Sequence, residues 1–212
     1  MRKFTFVLAA LAIAIGIPSG VLADKGGGGH HRNYSFSSTG SGAQTGDASN
    51  APNCQNPPVL SCTVDVNGTQ ATTVGSSTFT GSYTSRLTID YSQAVSNGAG
   101  GYCAPATGSA TITDASTGDT ITQTISGTVC EVGATGYCVP HTFNGTYLIT
   151  GGTGAYADAT GSGTVTGSDT GVSPPAPGCA GDTSSYHDTG TIDLQHNRHG
   201  HGHGDGGDGG DD

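Results

Sequence analysis

The sequence predicts an all-β protein, an antiparallel β-barrel of about eight strands between disordered N- and C-terminal segments, and three observations predict it. Apolar residues in the middle of the chain recur with a period of two rather than 3.6. Runs rich in Thr, Val, Ile and Tyr, which suit a pleated and half-buried backbone, are separated by clusters of Gly, Asn and Asp. No helical period follows residue 23. A β-sandwich, which shows the same alternation, is the alternative.

The first 23 residues have the three parts of a secretory signal. Arg2 and Lys3 supply the positive start, 4–17 an apolar core, and Val21-Leu22-Ala23 a small-residue cleavage site. The apolar run is shorter than the roughly 18 to 20 residues that a membrane span needs, and no later stretch is apolar enough. The expected localisation is secreted or extracellular, meaning the periplasm in a Gram-negative bacterium. Residues 24–53 are rich in Gly, Ser and Asn and are expected to be a flexible leader. The compact domain is assigned to 54–195, and 196–212 is a low-complexity tail with no means of burying a core.

Composition narrows the function classes. After residue 23, Lys25, Arg32, Arg86 and Arg198 face all sixteen acids, a formal charge of −12 that repels nucleic acid. Leu, Ile, Val and Phe make up 23 of those 189 residues, about 12 per cent, a small stock for a core. Only 10 per cent of the chain is charged, however, which is unlike most disordered chains. Six cysteines, at 54, 62, 103, 130, 138 and 179, offer a second source of stability as a disulfide framework. There is no CxxC pair to suggest zinc or thiol redox chemistry.

The strands follow in order. CTVDV (62–66) is the first, and SYTSRLTIDY (82–91) the second, with Tyr83, Ser85, Leu87, Ile89 and Tyr91 on one face and Arg86 and Asp90 on the other. SATIT (109–113) and TITQTISGTVCEV (120–132) come next, the latter with Ile121, Ile125 and Val129 on one face. TFNGTYLIT (142–150), GSGTVTG (161–167) and TGTIDL (189–194) complete the series. A turn near Thr117-Gly118 makes residues whose numbers sum to about 235 face one another, which pairs Cys103 with Cys130. Cys54–Cys62 is then the local loop and Cys138–Cys179 the remaining bridge, with local Cys130–Cys138 pairing as the rival.

The stretch GTYLITGGTGAYADATGSGTVTG (145–167) joins two of these strands through a Gly-rich turn, and its Gly161 and Gly163 suit a bulge or a close approach of strands. Tyr156, between Ala155 and Ala157, is its single large filler. Residues Gly151, Gly152, Thr153, Gly154, Tyr156, Ala159 and Gly161 form a GGTG-x-aromatic-x-x-A-x-G pattern that resembles secreted bacterial members of the allene oxide cyclase and dirigent barrel superfamily. The likeness is clear over about twenty residues and loose, by strand spacing, from Thr78 onward. It implies an eight-stranded antiparallel barrel with a ligand-sized interior, and no catalytic residue of the plant members maps here by motif.

Few side chains of the chain offer candidate chemistry. Arg86, which shares a strand face with Asp90, could clamp an anionic ligand at a barrel mouth, although a solvated surface pair explains it as well, and Tyr156 is a second candidate for ligand contact. His141, or His187 with Asp188, could supply a base and its orienter, but no GxSxG elbow accompanies them. Asp65, Asp90, Asp114 and Asp158 are dispersed without a glycosidase signature, and the chain has no Trp for sugar stacking. Thr-x-Thr triplets recur at irregular intervals, which argues against an ice-binding ladder. In the tail, His196, His199, His201 and His203 precede Asp205 and Asp208, a set suited to Zn, Ni or Cu on the imidazoles.

The reading that follows is a secreted, disulfide-stapled barrel that binds or supports without catalysis and requires no cofactor. A dirigent-like or allene oxide cyclase-like enzyme or carrier of a small apolar ligand is the second reading, and an extracellular metal-binding protein acting through its tail the third. The signal segment carries a direct test. Intact-mass analysis of exported protein should place the N-terminus at Asp24, and a mature form that keeps residues 1–23 would refute cleavage.

Overall fold

The computed structural model describes residues 30–46, 61–133, 139–170 and 183–196. Eight long strands close on one another and a two-residue strand is added at the rim. In chain order they are β1 (His30–Gly46), β2 (Cys62–Val74), β3 (Ser77–Ile89), the short β4 (Val95–Ser96), β5 (Tyr102–Asp114), β6 (Thr120–Glu131), β7 (His141–Gly152), β8 (Thr160–Asp169) and β9 (Thr183–His196). Every pairing is antiparallel, in the order β3-β2-β1-β9-β8-β7-β6-β5-β4, and β3–β5 pairing closes the ring. The architecture is therefore an eight-stranded antiparallel barrel and not a sandwich. Among the described residues the only helical pieces are two 3₁₀ turns, Tyr91–Gln93 and Gly154–Tyr156.

One element departs from the sequence reading. Residues 30–46, inside the expected flexible leader, form β1, which pairs with β2 on one side and β9 on the other. Its period is two, with Phe36 and Ser38 buried and the neighbouring Ser35 and Thr39 exposed. A strand with one large apolar anchor among Gly and Ser has little propensity of its own, and its two partners supply the stability. The rest of the expected leader, the signal segment 1–23 and the tail beyond residue 196 lie outside the described residues.

The alternation expected along β3 and β6 holds. Tyr83, Ser85 and Ile89 are buried and Arg86 is exposed, while Ile121, Gln123, Ile125 and Val129 are buried against outward Thr124 and Ser126. The inward side chains form one main cluster, led by Phe36, Ile112, Ile121, Tyr147, Ile149, Val165 and Ile192. A smaller cluster of Ile89, Ala104, Ala106 and Val129 lies toward the β4 rim. Outward hydroxyls pair across strands, as in Thr73–Thr78 at 3.0 Å, Thr164–Thr189 at 3.1 Å and Ser168–Ser185 at 3.0 Å.

The β5–β6 hairpin turns at Gly118, whose φ of +79° suits glycine and whose N–H donates to Asp114 O at 2.8 Å. The register places Cys103 opposite Cys130, and the two are bonded. That removes the rival Cys130–Cys138 bridge. By the chain-entropy account, closing this loop stabilises the fold by about 3 to 4 kcal/mol. Cys62 is also disulfide-bonded. Cys54, Cys138 and Cys179, and so the expected Cys54–Cys62 and Cys138–Cys179 bridges, lie outside the described residues.

Gly163 and Gly190 face each other in the β8–β9 register and make room for the Tyr147 ring. A methyl group at Gly163 would fall 2.5 Å from the Tyr147 hydroxyl, and one at Gly190 2.6 Å from it. Gly163→Ala should therefore destabilise the protein by about 1 to 3 kcal/mol, as overpacking does. Urea unfolding with disulfides intact measures it, and an unchanged midpoint would contradict this seating of the ring.

Candidate functional site

The barrel interior gathers the polar side chains that sequence patterns did not connect. On β1 and β2, the Ser38 hydroxyl donates to Gln70 Oε1 at 2.9 Å, Thr72 donates to the same oxygen, and the Ser38 and Thr72 hydroxyls lie 2.9 Å apart. Ser38 is also the β1 residue opposite Asp188 of β9. Gln123 of β6 reaches across the bore and donates from Nε2 to Asp188 Oδ2 at 3.4 Å. The Tyr83 and Tyr186 rings stack with centroids 3.8 Å apart, and Tyr147 packs against Phe36 at 5.7 Å. Interior polar atoms without a hydrogen-bond partner include Gln70 Nε2, Gln123 Oε1, Tyr147 Oη and Asp188 Oδ1.

Burial sets the electrostatics. Asp188 is 1% exposed, and desolvation pushes its carboxyl from the ordinary 3.8 up to about 7, against a smaller pull downward from the Gln123 hydrogen bond. The Tyr83 and Tyr147 hydroxyls are pushed well above the ordinary tyrosine value, first by burial and then by the nearby Asp188 charge. Burial likewise dominates the upward shift of Tyr186, and a hydrogen bond with Ser38 opposes it. At neutral pH the tyrosines are neutral donors grouped around a carboxyl close to half-titration. Such a cluster could hold or move a proton, but Gln123 and Tyr147 are each only 1% exposed as well. A substrate could touch them only if the barrel opened.

The residues singled out from sequence are placed apart from this cluster. Arg86 lies on the outer face of β3, 60% exposed, and makes a bidentate pair with Asp65 of β2 at 2.8 and 2.9 Å. Asp90, its expected neighbour in a clamp, instead accepts from Ser92 and Gln93 at the first 3₁₀ turn. Tyr156 is half-buried in the second 3₁₀ turn, where it packs on the main cluster with its ring 6.1 Å from Phe79. His187 and Asp188 do not form a base and orienter. Adjacent strand residues point to opposite faces, so Asp188 is buried while His187 is outside, 2.9 Å from Thr39 Oγ1. His141 pairs with Asp169 at 3.1 Å at the opposite end of β7 from the second 3₁₀ turn.

Of the expected metal ligands, His196 is the last residue of β9, and His199, His201, His203, Asp205 and Asp208 lie outside the described residues. Among the described residues no group of three or more His, Cys, Asp and Glu is arranged to hold a metal. No described helix is long and apolar enough to cross a membrane. Outside the barrel, an open groove of about 840 Å³ runs across β1, β2, β3 and β5, lined by small residues including Thr39, Ser41, Thr69, Thr80, Ser82 and Thr113.

Period two along β9 was the signal for Asp188, which shares the face of Tyr186, Gly190 and Ile192. Gln123 shares the face of Ile121 and Ile125 in the same way. Comparisons with family models, with curated proteins and with solved structures give no match to this chain.

The Asp188 shift makes a signed prediction. The folded chain keeps a proton that the unfolded chain releases between about pH 4 and 7, so the contribution of Asp188 is complete below about pH 4, falls as pH rises to about 7 and is flat above. The slope approaches roughly 1.4 kcal/mol per pH unit within that window. Asp188→Asn, which stays neutral, should be more stable than the parent at pH 8 and match it near pH 4. Urea unfolding across pH 4 to 8 measures the difference between the two proteins, and a difference that does not vary with pH would refute a buried, proton-holding Asp188.

Proposed function

We propose that the mature chain is a secreted, disulfide-stapled barrel that acts as a non-catalytic binding or structural protein. The observation that carries this reading is the filling of the bore. Phe36, Tyr147, Ile112, Ile121, Ile192, Gln123 and Asp188 are all among its fully buried side chains. Ligand carriers instead present a concave, mostly apolar space with a few convergent polar groups. Arg86 is tied to Asp65 on the outside of the barrel. Binding then belongs to the outer face, where hydroxyl-bearing side chains line the groove across β1, β2, β3 and β5. The Cys103–Cys130 bridge accords with an oxidising compartment and supports secretion.

A second reading, a relative of the allene oxide cyclases and dirigent proteins that converts or carries a small apolar ligand, has two supports. One is the GGTG-x-aromatic-x-x-A-x-G stretch at 151–161, and the other the unpartnered polar atoms around Asp188. Titration with an environment-sensitive apolar fluorophore separates the two. The filled barrel should give no saturable uptake at micromolar concentrations. Stoichiometric uptake that is lost in a Gln123→Leu variant of unchanged fold would replace the first reading with the second.

A further inference from the structure

Asn67-Gly68-Thr69 on β2 and Asn144-Gly145-Thr146 on β7 each have the Asn-x-Ser/Thr spacing of an acceptor for N-linked sugar. In that pattern the amide nitrogen takes the sugar and the transferase reads the hydroxyl two residues on. The barrel turns both members of each triplet outward. Asn67 and Thr69 are exposed while Val66 and Gln70 are buried, and Asn144 and Thr146 are exposed while Tyr147 is buried. A third triplet, Asn33-Tyr34-Ser35 on β1, differs in that its middle residue is a ring packed on the core. We propose that Asn67 and Asn144 are the acceptors of two N-linked glycans that project from the closed barrel. This rests on the secreted reading above, because the lipid-linked sugar donor is met on export.

Transfer is a substitution at the sugar. A bond forms between the Asn Nδ2 and the anomeric carbon, and the bond from that carbon to a phosphate oxygen of a lipid-diphosphate donor breaks. The Nδ2 proton passes to a base of the transferase, and nothing is oxidised or reduced.

The packing of the strands sets when this happens. Gly68 lies between Gly42 of β1 and Tyr83 of β3, and a methyl group on it would fall 2.1 Å from Ser41 O. Gly145 lies between Gly127 of β6 and Val165 of β8, and a methyl group on it would fall 2.5 Å from Ser126 O. A transferase that must enclose the triplet therefore acts before these strands pair. Glycine in the middle gives the unpaired triplet the freedom to bend into such an enzyme. When the strands then close, the outward aim of both Asn side chains leaves the sugars in solvent. Asn97 is the contrast, since its Nδ2 donates to Glu131 O at 2.9 Å and residue 99 is Ala, with no hydroxyl. Asn67 shares the outer face of β2 with Thr69 of the groove, so its sugar stands at the groove's edge.

The experiment takes the protein that its own host exports, disulfides intact, and combines N-terminal analysis with intact-mass and peptide mass spectrometry. Mass above that of the sequence should be found on the peptides carrying Asn67 and Asn144, attached at the amide. Asn67→Gln and Thr69→Ala should each abolish the increment at the first acceptor, and Asn144→Gln and Thr146→Ala at the second. Thr69→Ser and Thr146→Ser should keep it, which separates reading of the hydroxyl from damage to the strand. Chains that begin at Asp24 with bare Asn67 and Asn144 would overturn the proposal and leave secretion standing. Chains that retain residues 1–23 and carry no sugar would overturn both. Sugar found only on Ser or Thr hydroxyls, or kept in Thr69→Ala and Thr146→Ala, would likewise refute these two acceptors.

Discussion

Closure through the β1–β9 ladder is the constraint on which the rest of the structure depends. A β-sheet that ends leaves a row of unpaired backbone groups, whereas a closed barrel leaves none along its strands. Joining the first long strand to the last gives every one of the eight long strands two neighbours. It also sets the width of the bore, since eight strands enclose a space that side chains fill. Large inward residues must then face small ones. Tyr147 lies over the Gly163–Gly190 pair, and the Tyr186 ring occupies the space a side chain at Gly40 would need. A chain with about 12 per cent Leu, Ile, Val and Phe can build a core on these terms because tyrosines supply much of the volume and glycines the room.

Closure carries a cost in polar burial. Tyrosine, threonine and glutamine used as fillers bring hydroxyl and amide groups into the bore, and each needs a partner. The Ser38–Gln70–Thr72 group supplies partners to itself, whereas the Gln123–Asp188 contact is long and leaves one oxygen on each side chain unmatched. Protonation is the available relief for Asp188, because it removes a charge from a site of low polarity. The proton on Asp188 is thus a consequence of how the barrel is filled, and it connects packing directly to pH-dependent stability.

The outer face follows different physics. Its hydroxyls pair across strands, and the bidentate ion pair Arg86–Asp65 is solvent-exposed and worth at most about 1 kcal/mol. Neither feature contributes much to stability. They leave an uncharged outer surface of small residues, many of them Thr and Ser, across β1, β2, β3 and β5.

By itself the sequence determined the all-β class, seven of the eight barrel strands and the inward faces of β3 and β6, and it favoured the Cys103–Cys130 bridge over a local rival that the structure removed. Each of these follows from a local period of two or from one hairpin turn, and both are written in neighbouring residues. The tertiary structure decided the rest. β1 was hidden because a strand of Gly, Ser and a single Phe owes its stability to β2 and to β9, which begins more than 150 residues after β1 starts. Asp188 and Gln123 could each be assigned a face from sequence, but their meeting depends on how far the sheet curls before it closes. The opposition of Ser38 and Asp188 depends on the register of that closing ladder, which no local pattern encodes. Short-range periodicity fixes which way a side chain points, and only the closed ring fixes what it points at.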